Sequence, residues 1–181
     1  AWLHQDHREY TRALVAFEDC HRIVTEFHDA QAIMGIQGSM VQSCLHVGQW
    51  DRALDLSKQS IEQAHSMHTQ THLRFQWIDR ATIHLDQGNL PDALRAYERA
   101  GQFPLKPVLN ALVYHFFEAQ LMWHRGALEV ALERFEHLMT TYGPDFSAIQ
   151  TSTSFGDCIR GYILVLRGQL GRCDAHELRE E

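Results

Sequence analysis

The chain has 181 residues, of which 45% are hydrophobic and 22% are charged, and its formal net charge is −7 at pH 7. This length and composition allow one domain with a substantial core. Phosphate contacts dominate nucleic-acid affinity, and the arginines form no basic stripe, so this segment is a poor candidate for binding DNA or RNA. There is neither a run of eighteen apolar residues nor a signal-peptide pattern, which predicts no membrane insertion and a cytoplasmic location.

A short phrase recurs along the chain: a glycine, any residue, a bulky apolar residue, two further residues and a small residue. The spacing of successive small residues is about 40, and self-similarity at a period of about 20–50 residues is typical of stacked repeats. Four copies follow a degraded first one, in which Tyr10 leads to Ala13. These copies run from Gly48 to Ala53, from Gly88 to Ala93, from Gly126 to Ala131 and from Gly168 to Cys173.

Each repeat is predicted to be a pair of antiparallel helices. The third repeat shows the pattern most clearly, because its first helix has an apolar stripe at helical spacing. Gly88 then ends that helix in a left-handed conformation, and Asn89 caps the next one. Pro91 occupies the first turn, where its missing N–H costs nothing. Ala93 is small because two helix axes must cross closely there. The stripe consists of Trp77, Ile78, Ala81 and Leu85.

These positions resemble tetratricopeptide repeats. The family has a small residue in its first helix, a glycine at the turn, a bulky residue two later, an alanine three beyond and an aromatic residue four beyond that. The matching residues are Ala81, Gly88, Leu90, Ala93 and Tyr97, and again Ala119, Gly126, Leu128, Ala131 and Phe135. The second repeat departs from the pattern at Val41 and Ser57. The period near 40, in place of 34, resembles the helical arms of large bacterial regulators.

The resemblance implies an all-α, right-handed superhelical solenoid of antiparallel helix pairs. The chain is expected to be a single repeat domain of about five repeats, with the terminal ones incomplete. Because neither end supplies a polar capping helix, the chain is predicted to be a segment of a longer protein. The repeats are approximately residues 1–30, 31–68, 72–104, 108–143 and 150–181.

In this repeat family the first helix of each pair lines a concave surface, which therefore implies a groove for a protein or peptide. Trp123 is the expected anchor, because tryptophan dominates binding hot spots. In an alternative interpretation Trp123 and Tyr162 only pack between neighbouring repeats. The predicted groove residues are Gln42, His46, Thr82, Asp86, Gln120, Trp123, His124 and Tyr162, preceded in the first repeat by Trp2, Gln5 and Asp6.

The predicted function is a protein- or peptide-binding scaffold in a cytoplasmic bacterial signalling or transcription regulator. Two alternatives stay open. One is a small-molecule sensor arm, with an apolar pocket lined by Phe116, Trp123 and Tyr162. The other is a self-association module in which exposed repeat edges pair, so a homodimer is also considered.

The chain has no phosphate-binding glycine loop, HExxH or GxSxG motif, so we predict no enzyme activity, no catalytic residue and no cofactor. Thirteen histidines invite a test for zinc. His65, His68 and His72 would share a face if one helix ran through them. Because a turn between repeats is expected in this stretch, we predict no metal site there.

Overall fold

The computed structural model describes residues 9–105, 108–143 and 154–172. These ranges contain eight α-helices and no strand, which confirms the predicted all-α fold. No helix in the described ranges is long and apolar enough to cross a membrane. The first-repeat groove residues Trp2, Gln5 and Asp6, as well as Cys173, lie outside the described residues.

Contacts between Cα atoms divide the chain into two compact units, Ala1–Leu105 and Lys106–Glu181, hereafter the N-terminal and C-terminal units. In the N-terminal unit each helix packs against the next one in the chain, and α2 also contacts α4. Its helices begin 20 residues apart, so that two of them make up one 40-residue period. They are α1 Tyr10–Glu26, α2 Ala30–His46, α3 Trp50–Ser66, α4 Gln70–Asp86 and α5 Leu90–Ala100.

The C-terminal unit contains three described helices, of which α7 packs against both of the others. Phe135 and Leu138 of α7 are buried in a core that also contains Leu112 of α6 and Leu166 of α8. These helices are α6 Val108–His124, α7 Leu128–Tyr142 and α8 Ser154–Gln169.

Three of the predicted helix stops are confirmed. Gly48, Gly88 and Gly126 have φ angles of 76°, 73° and 77°, a region that glycine enters without a Cβ penalty. At the first of these stops the N–H of Gly48 donates to the carbonyl of Leu45 at 3.1 Å, and the N–H of Gln49 donates to that of Cys44 at 2.8 Å. These bonds satisfy carbonyl groups that the end of the helix would leave without a partner.

The fourth predicted stop, Gly168, is wrong. Gly168 lies inside α8, and Gly171 instead adopts the positive φ, at 66°. The N–H of Gly171 donates to the carbonyl of Gly168, and the N–H of Arg172 donates to that of Arg167. The longer helix brings Leu170 against the core of the C-terminal unit. Apolar packing therefore determines which of the two glycines ends the helix.

The small positions of the repeat are fully buried. Ala53, Ala93 and Ala131 have no exposed surface, and neither does Ala13 in the degraded first copy. The predicted cap at the start of α5 is confirmed, because the Asn89 side chain accepts a hydrogen bond from the N–H of Asp92 at 3.3 Å. The small residue of the repeated motif is thus buried, and in α5 the residue after the glycine caps the helix.

Two turns between successive repeats, those after α1 and α3, use histidine where the turns within repeats use glycine. His28 and His68 have φ angles of 53° and 55°. The left-handed conformation costs an L-residue with a side chain about 1–2 kcal/mol. A turn near His68 was expected from the repeat, but no glycine marks either histidine as the residue with positive φ.

We expect His68→Gly to stabilise the chain by about 0.5–1 kcal/mol, because glycine removes the left-handed penalty but adds entropy to the unfolded chain. Urea denaturation followed by circular dichroism measures this change. His65→Gly is the matched control, since His65 lies within the last turn of α3, where glycine should cost up to about 1 kcal/mol. Destabilisation by His68→Gly would contradict the role given to this turn.

Candidate functional site

The contact between α2 and α4 creates a surface in the N-terminal unit. The Thr69 hydroxyl, at the start of α4, lies 3.9 Å from the sulfur of Met34. One turn further along α2, a side-chain carbon added at Gly38 would lie 3.1 Å from the amide nitrogen of Gln76. Another turn on, the Gln42 amide donates to a carboxylate oxygen of Asp79. Because the contacts advance in the same direction along both helices, α2 and α4 run parallel.

This arrangement places the four predicted groove residues of the N-terminal unit around the Gln42–Asp79 hydrogen bond. His46 lies one turn after Gln42 on α2, whereas Thr82 and Asp86 lie one and two turns after Asp79 on α4. The four side chains therefore follow one surface made of two helices, which is hereafter the α2/α4 surface.

The residues of the α2/α4 surface differ in exposure. His46 and Asp86 are exposed, whereas Gln42 and Thr82 are partly buried. The His46 ring stacks on that of Tyr10 from α1, with 4.0 Å between centroids and 21° between planes. The Thr82 hydroxyl donates to the carbonyl of Ile78 in its own helix at 3.0 Å. The His46 ring, stacked on that of Tyr10, and the carboxylate of Asp86 are therefore the exposed parts of this surface.

Asp79 is the ionisable residue of this surface that sequence reasoning missed. It is only 8% exposed, and burial raises its pKa to about 7, although the hydrogen bond from Gln42 acts in the opposite direction. Among the described residues it has no ion-pair partner within 4.0 Å. Position 79 lies outside the apolar stripe of Trp77, Ile78, Ala81 and Leu85, so the sequence pattern gave no signal of its burial.

Asp79 belongs to a group of buried polar side chains on α4. Arg74 and Gln76 are also almost fully buried. The backbone carbonyl of Gln76 accepts a hydrogen bond from the Ser57 hydroxyl of α3 at 3.2 Å. The side-chain oxygens of Gln76 and of Gln37, on α2, are buried without a hydrogen-bond partner in the described structure. Helix α4 is therefore a central helix whose polar groups are directed into the protein.

The predicted residues of the C-terminal unit form an aromatic cluster. The Gln120 amide donates to the Tyr162 hydroxyl at 2.8 Å, which joins α6 to α8. The Trp123 indole N–H donates to the side-chain oxygen of Gln169 at 3.0 Å. The edge of one ring meets the face of the other between Trp123 and Tyr162, at a centroid distance of 5.3 Å. Tyr162 also stacks on Phe135 of α7, with centroids 4.9 Å apart.

Three of the four predicted residues are thus brought together, whereas His124 is exposed at the end of α6. Trp123 and Tyr162 are partly buried against the core of the C-terminal unit. Their polar atoms bond to residues of the same unit. This geometry corresponds to the alternative in which both rings pack between helices.

The three residues expected to line a small-molecule pocket contact one another. Phe116 and Trp123 both contact Tyr162, with 5.6 Å and 5.3 Å between ring centroids. A cavity of about 80 Å³ lies elsewhere, between α6 and α7, and ligand pockets usually measure about 300–1,000 Å³. This cavity is lined by His115, Glu118, Arg134, His137, Leu138 and Tyr142.

The polar groups of that small cavity bind one another. A carboxylate oxygen of Glu118 lies 3.3 Å from the Nδ1 atom of His115, and the other lies 3.7 Å from the Arg134 guanidinium. The His137 ring lies 3.4 Å from the hydroxyl of Thr141. The pair of Glu118 and Arg134 therefore connects α6 to α7, and the cavity offers little space for a ligand.

The histidines near position 68 lie on three separate elements. His65 is in the last turn of α3, His68 is in the turn and His72 is in the first turn of α4. The single helix that would align them does not form. No group of three histidine, cysteine, aspartate or glutamate side chains in the described ranges is arranged to hold a metal ion.

Comparisons with protein-family models, with curated proteins and with solved structures gave no significant match.

Proposed function

We propose that this chain is a tetratricopeptide-like scaffold that binds a protein or peptide partner on the α2/α4 surface. The contact between α2 and α4 supports this proposal most directly. In a right-handed solenoid of helix pairs, the first helices of successive repeats lie side by side. Helices α2 and α4 are the first helices of the second and third predicted repeats. Stacked helices expose a surface longer than one helix, which suits an extended or helical segment.

The side chains of the surface define the kind of partner. Gln42 and Thr82 carry groups that can bond to a peptide backbone, and the stacked rings of Tyr10 and His46 form a flat platform for an apolar or aromatic side chain. Asp86 adds an exposed negative charge, and the whole chain has a net charge of −7. Charge complementarity then favours a partner segment with lysine or arginine residues.

The wider role follows from the family resemblance. The long repeat period resembles the arms of bacterial signalling and transcription regulators. We therefore place the scaffold in a cytoplasmic regulator of that type, where it acts by binding and has no catalytic role.

The experiment uses the whole chain as bait in a pull-down with chemical cross-linking, and the recovered partner is then titrated by isothermal calorimetry. We expect the double variant His46→Ala/Asp86→Asn to weaken binding at least about tenfold, which corresponds to about 1.4 kcal/mol. The matched control is His65→Ala/Asp55→Asn, which removes the same two side-chain types from exposed positions on α3. Loss of binding in the control with retention in the test variant would refute the proposed surface.

A further inference from the structure

Helix α1 presents large apolar side chains to solvent. Val15, Ile23 and Phe27 are 57%, 46% and 78% exposed. At 3.6 residues per turn, Val15 and Ile23 lie on one side of the helix, and Phe27 continues this row one turn further. The buried side chains of α1, such as Phe17, lie on the opposite side. This outer face of α1 therefore leaves apolar surface uncovered.

The internal repeat provides a comparison within the molecule. Forty residues after Val15, α3 has Asp55, and forty residues later α5 has Arg95, and both are exposed. Forty residues after Ile23, α3 has the polar Gln63. Forty residues after Phe27 is Met67, which is also exposed, so the apolar residues that are particular to α1 are Val15 and Ile23. Uncovered apolar side chains grouped on one face mark interaction sites.

The first half of this face is open and nearly flat, and it contains Thr11, Arg12, Val15, Ala16 and Asp19. The exposed side chains of Ile23 and Phe27 lie on the second half. An antiparallel α1 helix would bring Ile23 and Phe27 of one copy onto the first half of the other.

The charges have the same two-fold arrangement. Asp19 lies midway between Val15 and Ile23, and also midway between Arg12 and Glu26. In an antiparallel pair of α1 helices centred at Asp19, Val15 of each copy meets Ile23 of the other, and Arg12 meets Glu26. In a dimer with two-fold symmetry, each of these contacts occurs twice. Each central Asp19 is paired with Arg22 of its own helix at 3.3 Å, which limits repulsion between the two copies.

We propose that the outer face of α1 binds the same face of a second copy of this chain, as an antiparallel two-fold contact. This proposal does not depend on the partner that binds the α2/α4 surface. One helix from each copy makes a small interface, below about 1,200 Å². We therefore expect a reversible dimer that forms over the micromolar concentration range.

Sedimentation equilibrium of the whole chain tests the proposal. We expect a monomer–dimer equilibrium, and we expect Ile23→Glu to raise its dissociation constant at least about tenfold, because the new carboxylate would meet the apolar side chain of Val15 in the other copy. Val130→Glu is the matched control, since Val130 on α7 is similarly exposed and should leave the equilibrium unchanged. Circular dichroism melting of each variant verifies that it is folded.

A charge exchange tests the antiparallel arrangement. Arg12→Glu and Glu26→Arg should each weaken the dimer, because each brings like charges together, and the double variant Arg12→Glu/Glu26→Arg should restore it. Any of four results overturns the proposal: a monomer at every concentration, an open series of larger oligomers, a dimer unaffected by Ile23→Glu, or a double variant weaker than both single variants.

Discussion

Replacing Asp79 with asparagine should raise the free energy of unfolding at pH 8 by about 4 kcal/mol. Burial raises the pKa of Asp79 from 3.8 to about 7 in the folded chain. At pH 8 the folded protein therefore holds a buried carboxylate whose described hydrogen-bond partner is the neutral Gln42 amide. Asparagine keeps an oxygen that can accept this hydrogen bond and removes the charge.

The direction of this pH dependence follows from proton binding to the folded and unfolded chains. Between pH 3.8 and about 7, the folded chain keeps the Asp79 proton that the unfolded chain has already released. The contribution of this residue to stability is therefore greatest below pH 3.8, falls as the pH rises towards 7 and changes little above it. The advantage of the asparagine variant at pH 5 should accordingly be less than half of its value at pH 8.

Urea denaturation of both proteins at pH 5 and pH 8 measures this effect. Asp55→Asn is the control, because Asp55 is exposed on α3, and it should change stability by less than about 0.5 kcal/mol at either pH. An equal advantage of Asp79→Asn at the two pH values would show that Asp79 does not titrate between them.

Replacing Trp123 with alanine should lower the free energy of unfolding by about 3 kcal/mol. The indole contacts the Tyr162 ring and donates to Gln169, so that its loss removes both an aromatic contact and a bond from α6 to α8. Guanidinium denaturation, followed by near-ultraviolet circular dichroism, reports on this cluster. Trp50→Ala is the matched control, since Trp50 is 40% exposed at the first position of α3.

The Trp123→Ala variant also distinguishes the two roles considered for Trp123, which are packing between helices and anchoring a partner. Destabilisation well beyond that of Trp50→Ala supports packing between helices. If Trp123→Ala leaves stability unchanged but abolishes binding of the partner, Trp123 is an anchor, and the aromatic cluster is not required for the fold.

The sequence predicted the features that depend on neighbouring residues. Gly48, Gly88 and Gly126 end their helices because the backbone at those positions needs a positive φ, which glycine adopts without strain. Ala93 and Ala131 are fully buried because only a small side chain allows close helix crossings. Both constraints recur in the second, third and fourth repeats, so a repeated motif was sufficient to reveal them.

Other features depended on segments far apart in the chain. The bond between Gln42 and Asp79 spans 37 residues, and that between Trp123 and Gln169 spans 46. Gly168 and Gly171 are chemically equivalent as helix stops, and the contact of Leu170 with the core decided between them. The sequence by itself determined where helices form and cross closely, because propensity and side-chain size act locally. Only the tertiary structure decided which polar groups are buried together, because burial depends on the helices that surround them.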